Sequence, residues 1–424
     1  MRMLPEPLRI PAFRAYWLAR LAATIAQMAM VIVIGWQVYD IARQTMDIPA
    51  AALRLGFIGV VQFVPLFALS LVAGWAADRV DRRYIARAAV ALELACAATL
   101  AIVTWADAMS LYWLYGIAAL LGVARAFAGP ALGALAPNLV PPKILPNAIA
   151  LSSIAWQAGT VVGPAVGGYL YAWTPAAPYE ASAVLFAVAL IGLFTIGPVE
   201  RPAAKLEGNP WAEVRNGLRY VRRNRLVLGA ISLDLFAVLL GGATAMLPIF
   251  ARDILHTGPE GLGHLRAAPA VGATLTAAWF AFRPLKNNVG VKMLVAVAVF
   301  GAATVVFGFS RSMPLSLACL FLLGAADMLS VYVRQSLIQI YTPDAMRGRV
   351  GAVSTLFISA SNELGEAESG FLAALVGPVV AVVGGGIGAI LVVGLWAWRF
   401  PELRLARRFE PPDLPQSARQ ESAP

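Results

Sequence analysis

Gly74-Trp75-Ala76-Ala77-Asp78-Arg79-Val80-Asp81-Arg82-Arg83 is a short charged stretch between two long apolar runs, 53–77 and 84–105. Each run is long enough to carry a helix through about 30 Å of hydrocarbon, which takes roughly 20 residues. The charged residues between them belong at a membrane face, so the two runs read as neighbouring membrane helices joined by a tight loop.

The same alternation extends in both directions. Spans are expected at 17–40, 53–77, 84–105, 110–133, 147–172, 179–198, 226–250, 262–283, 291–309, 313–333, 350–376 and 379–399. The chain is 60% hydrophobic and only 13% charged, whereas a soluble domain devotes about a quarter of its residues to charge. The fold class is therefore an all-α polytopic membrane protein, with twelve transmembrane helices in two pseudo-symmetric six-helix bundles. The halves are 1–198 and 226–400, joined by a basic cytoplasmic connector, 199–225. A cytoplasmic tail, 401–424, is expected to be disordered.

The net charge of +10 is not a nucleic-acid signal, because the basic residues sit in short segments between spans. Of the 33 Lys and Arg, 26 fall on the side of the N-terminus, with Arg334 counted in the loop before span eleven. Four fall on the other side: Arg43, Arg54, Arg252 and Arg311. That bias places both termini in the cytoplasm, and no removed signal peptide is expected after the basic, Pro-rich N-terminus. Cys96 and Cys319 lie in apolar runs and read as small core residues. His256 and His264, eight apart with no cysteine cluster nearby, give little support for a metal site. No nucleotide-binding loop is found, and no cofactor or enzymatic activity is expected.

The halves repeat at an offset of 202. Leu120-Leu121-Gly122 matches Leu322-Leu323-Gly324, and Pro141, Ser152, Gly163 and Gly168 match Pro343, Ser354, Gly365 and Gly370. Two parallel halves related by an axis along the membrane normal are a known transporter plan.

The 74–83 stretch resembles the signature loop of the major facilitator superfamily, Gly-x-x-x-Asp-Arg-x-Gly-Arg-Arg, with Asp81 in place of the second Gly. The resemblance implies a gating role for Gly74, Asp78, Arg79, Arg82 and Arg83. Asp78 is expected to cap span eleven near Arg347 and Arg349. Gly159, Gly163, Pro164, Gly167 and Gly168 are similar to a motif of antiporter branches. Glycines four apart also let a second backbone approach, and Pro164 invites a bend. Arg125-x-x-x-Gly129 resembles a span-four motif of proton-coupled exporters. The stretches 35–40, 250–255 and 343–350 resemble the branch of siderophore and macrolide exporters.

Span eleven carries Glu363, Glu366 and Glu368. Each costs roughly 2.5–3.5 kcal/mol to insert if ionised and central. Glu363 and Glu366 share a helix face, while Glu368 lies about 140–160° away. Glu363 and Glu366 lead as pathway or proton-handling groups. Asp327 comes next, at the depth of Arg125, its equivalent in the repeat. A static Arg125–Asp327 ion pair holding the halves together is the competing reading of those two. Asp234 and Glu368 stand behind these. Arg20, Glu93 and Arg266 are placed nearer the interfaces, where long side chains can snorkel.

The expected function is secondary active transport in the bacterial inner membrane. The leading form is proton-coupled export of a small amphipathic compound, siderophore-like or drug-like, with a monomer favoured. A lysolipid flippase on the same fold is the alternative, and a non-transporting scaffold or sensor is a third reading.

Overall fold

The computed structural model describes residues 5–198, 210–283 and 285–409. Hydrocarbon offers no hydrogen-bond partners, so a spanning chain must satisfy its backbone internally, and helices do this. Spans one to six are Pro11–Thr45, Ile48–Arg79, Arg82–Trp105, Leu111–Leu135, Leu145–Trp173 and Ala177–Phe194. A linker helix, Pro210–Arg223, follows. Span seven starts as Arg225–Leu240. Spans eight to twelve are Pro259–Phe282, Val289–Phe309, Met313–Ile340, Asp344–Val376 and Pro378–Arg399.

Every expected span is present, and most run several residues past their apolar limits. Ten are apolar enough by length and composition alone to cross a membrane. The two that fall short are spans eight and eleven, which carry Arg266 and the three glutamates. Twelve helices running alternately up and down bring the start of span one and the end of span twelve to one face, called the terminal end below; the opposite face is the distal end.

Three boundaries differ from expectation. Span ten continues to Ile340, so Arg334 is not a loop residue but lies inside the helix, 3% exposed. The tail is structured at its start: Pro401–Leu405 is helical, Leu403 is fully buried, and the Gly290 amide donates to the Ala406 carbonyl at 3.0 Å. Residues 410–424 lie outside the described ones. Span seven breaks at Gly241-Gly242. It continues as a 3-10 turn, Ala243–Met246, then a short helix and a π turn, Phe250–Ile254.

Asp81, the departure from the signature loop, has a local reason. It caps span three by accepting from the Arg83 amide at 3.0 Å. It also pairs with the buried Arg83 guanidinium at 2.6 Å.

The halves meet along two seams related by the repeat: span two on span eleven, and span five on span eight. A Cβ at Gly56 would stand 2.6 Å from the Gly370 Cα, and one at Gly263 would stand 2.9 Å from the Pro164 carbonyl oxygen. No side chain fits either place. The span-five glycines divide their work. Gly159, Gly163 and Gly167 pack on span one within their own half, while Gly168 faces Pro259 and Gly263 across the seam.

Candidate functional site

The broken span seven leaves backbone carbonyls without helical partners inside the bundle, and an unmet carbonyl there costs several kcal/mol. Arg266 of span eight supplies one partner, with its Nη1 donating to the Thr244 carbonyl at 3.0 Å. Its Nη2 lies 3.6 Å from Glu366. Arg266 is therefore not an interfacial snorkelling residue but a strut between spans seven, eight and eleven.

One helical turn from Glu366, Glu363 crosses the boundary between halves. Its Oε1 is 3.0 Å from Nη2 of Arg125 in span four. Arg125 also donates through Nη1 to Gln62 of span two at 2.9 Å. Gln62 and Glu363 are each 5% exposed, while the Arg125 side chain is 29% exposed, so the acid end of the cluster is shielded and its charge is strongly felt. The shared face of Glu363 and Glu366 thus meets two different arginines, one from each half. A small cavity of about 50 Å³ adjoins them, lined by Leu55, Ile58, Gln62, Thr244, Arg266 and Glu366.

Asp327 does not meet Arg125. It lines a void of about 10 Å³ within the second half, beside Asp234, Val297, Phe300 and Ser330. Asp234 pairs with the buried Arg334. The ion pair tying Arg125 to the second half ends on Glu363, because span eleven, not span ten, packs beside span four's neighbour, span two. Glu368 is partly buried and meets the hydroxyl of Ser369. Glu93, placed near an interface from sequence, is in fact 2% exposed and accepts from the Gln27 amide at 3.2 Å.

At the distal end, a second set of charges joins the halves. Arg43 of span one meets Asp253 at 3.1 Å, and Arg252 meets Asp40 at 2.5 Å. Tyr39 donates to Asp253 as well. Together with the glycine contacts, these two crossed pairs close the distal face. Sequence reasoning missed this clasp. Its signal was available: opposite charges in both orders at the same ends of the repeat-related spans one and seven.

The surroundings of Gly74 and the side chain of Asp78 lie outside the described residues, so the expected Asp78 cap is not placed. Arg347 donates through Nε to the Gln339 carbonyl at 3.1 Å. Arg349 lies where the linker helix packs, with Gly217 against its carbonyl. Arg79 is exposed. Cys96 and Cys319 are buried free thiols, and His264 hydrogen-bonds Tyr169 at 2.7 Å. Among the described residues no group of three His, Cys, Asp or Glu could hold a metal ion.

The family described as Transmembrane secretion effector matches residues 5–418. The chain is 27% identical over 415 residues to the enterobactin exporter EntS of Citrobacter koseri, covering 96% of each. It is 26% identical over 410 residues to EntS of Escherichia coli O1:K1 / APEC, covering 95% of this chain and 94% of that one. Among solved structures, a POT family transporter in complex with 5-aminolevulinic acid superposes with a TM-score of 0.71 at 11% identity. That match covers 92% of this chain and 96% of the other. A bacterial homolog of the human lysosomal transporter Spinster, inward-facing and occupied, gives a TM-score of 0.69 at 15% identity, covering 95% and 97%. At those identities the structural likeness speaks to the fold.

Proposed function

Because this chain belongs to the Transmembrane secretion effector family of the major facilitator superfamily, we propose that it exports a small amphipathic compound, siderophore-like or drug-like, in exchange for protons. The observation that carries the proton coupling is the Arg125–Glu363 pair, whose acid end is shielded and which the halves share. Alternating access moves the halves against each other, and such motion separates these two groups. Separating the pair leaves Glu363, the buried partner, without its cation, which is unfavourable. A proton taken up by Glu363 removes much of that cost, so opening and protonation occur together. The inner-membrane setting and cytoplasmic termini rest on the basic bias of the terminal-end segments. With that orientation, the closed distal face is the periplasmic one.

The test is accumulation in proteoliposomes with an acidic interior, using enterobactin and a macrolide as probes. The expected result is accumulation that needs the pH gradient. Glu363→Gln should lose it while retaining substrate exchange at equal pH. Accumulation indifferent to the gradient would remove the proton, and no flux of any amphipathic probe would remove the exporter reading.

A further inference from the structure

We infer that Arg20 and Trp156 form an anion-recognising site on the first-half wall of the space between the halves, and that the exported compound carries an acid, such as a carboxylate, beside its apolar body. This rests on the exporter reading above and narrows its substrate class; it makes no use of the proton.

The side chain that carries the inference is an arginine without an acid. Arg125 pairs with Glu363, Arg266 lies beside Glu366, and Arg334 pairs with Asp234. Arg20, in span one, meets no acid among the described residues. Its Nη1 donates to the Tyr16 hydroxyl at 3.0 Å, and its Nε is buried without a hydrogen-bond partner. Tyr16 is fully buried, and its hydroxyl donates in turn to the Leu132 carbonyl of span four at 3.0 Å. Tyr16 therefore anchors the guanidinium without answering its charge. A guanidinium presents its N–H donors in a planar fork, and a carboxylate takes two of them at once.

The group faces inward. At about 100° per residue, Gln27 and Val31 fall within about 20° of Arg20 around span one. Val31 lines the small cavity together with Gln62, Arg266 and Glu366. Arg20 thus lies on the inward face of span one, about 16 Å nearer the terminal end than Val31. Its guanidinium carbon stands 5.9 Å from the centre of the Trp156 ring of span five, and Trp156 is 42% exposed.

Cation and ring together select an amphipathic acid. The acid pairs with Arg20, and the apolar part of the same molecule lies against Trp156, where an aromatic ring can stack with an offset. A molecule of the same shape without the acid gains the ring contact alone. An arginine that only snorkels towards water makes no such distinction.

The test compares naphthoate with naphthamide, which share one aromatic body and differ in charge at about pH 7. Each is titrated calorimetrically into the full chain in nanodiscs, with empty nanodiscs subtracted. The starting protein should bind naphthoate about 10–100-fold more tightly than naphthamide. Arg20→Gln removes the charge and keeps a donor for Tyr16, so the two affinities should become equal. Arg20→Lys should keep part of the preference, because the charge remains and the fork is lost. Trp156→Leu should weaken both probes. Thermal melting of each variant checks the fold. Equal binding of the two probes to the starting protein, binding of neither, or a preference that survives Arg20→Gln overturns the inference and leaves the exporter reading standing. The exporter reading falls separately, on the absence of flux in proteoliposomes.

Discussion

Asp253→Asn loosens the distal clasp without changing its shape. In the closed protein Asp253 receives Arg43 at 3.1 Å and the Tyr39 hydroxyl. The amide oxygen of asparagine can still accept from Tyr39, so the loss is mainly the charge opposite Arg43. A hydrogen bond to a charged group contributes about 1.5–3 kcal/mol. The two side chains are 24% and 16% exposed, and screening keeps the pair at the low end. The Arg252–Asp40 pair at 2.5 Å remains. The expected loss is about 1–2 kcal/mol of closed-state preference, a factor of about 5–30 in the open population. Leu55→Cys, 7% exposed in the cavity wall beneath the clasp, reports that population. Its reaction with an impermeant maleimide at the distal face should quicken by the same factor in Asp253→Asn, in a background without Cys96 and Cys319. A rate within twofold of the parent, at equal insertion, would refute the clasp as a gate.

Three further outcomes follow from the geometry. Gly56→Ala places a methyl 2.6 Å from the Gly370 Cα; overpacking of that kind costs about 1–3 kcal/mol, so the distal face should open more readily by the same labelling assay. Arg334→Met strands Asp234 in the second half and should destabilise by about 3–5 kcal/mol, lowering the melting temperature in detergent. Arg334→Met with Asp234→Leu should recover most of that loss, and no recovery would refute the pairing as the cause. Asp81→Ala removes the cap of span three and the partner of Arg83; the cap alone is worth about 0.5–2 kcal/mol, and a melting temperature unchanged within error would show that Asp81 is dispensable.

The spans were legible along the chain, because crossing hydrocarbon imposes a length and an apolarity that a linear chain displays directly. The sequence also picked out most of the intramembrane charges, since each departs visibly from an apolar run. Which charge meets which was a different matter. Arg125 and Asp327 share a depth and a repeat position, yet Arg125 reaches Glu363, because packing sets lateral neighbours and sequence spacing reports only depth. Arg334 was misplaced for a simpler reason: an arginine at the edge of an apolar run looks like a loop until a partner such as Asp234 draws it inside. Arg266 and Glu93 read as edge residues, while the fold gives them partners inside the protein, because nothing in the linear order announces the broken backbone of span seven or the amide of Gln27. The crossed clasp of Asp40, Arg43, Arg252 and Asp253 joins residues more than 200 positions apart. Each charge alone reads as an ordinary end-of-helix residue; only the docking of the two halves, through seams of glycine that admit no side chain, brings them within reach of one another.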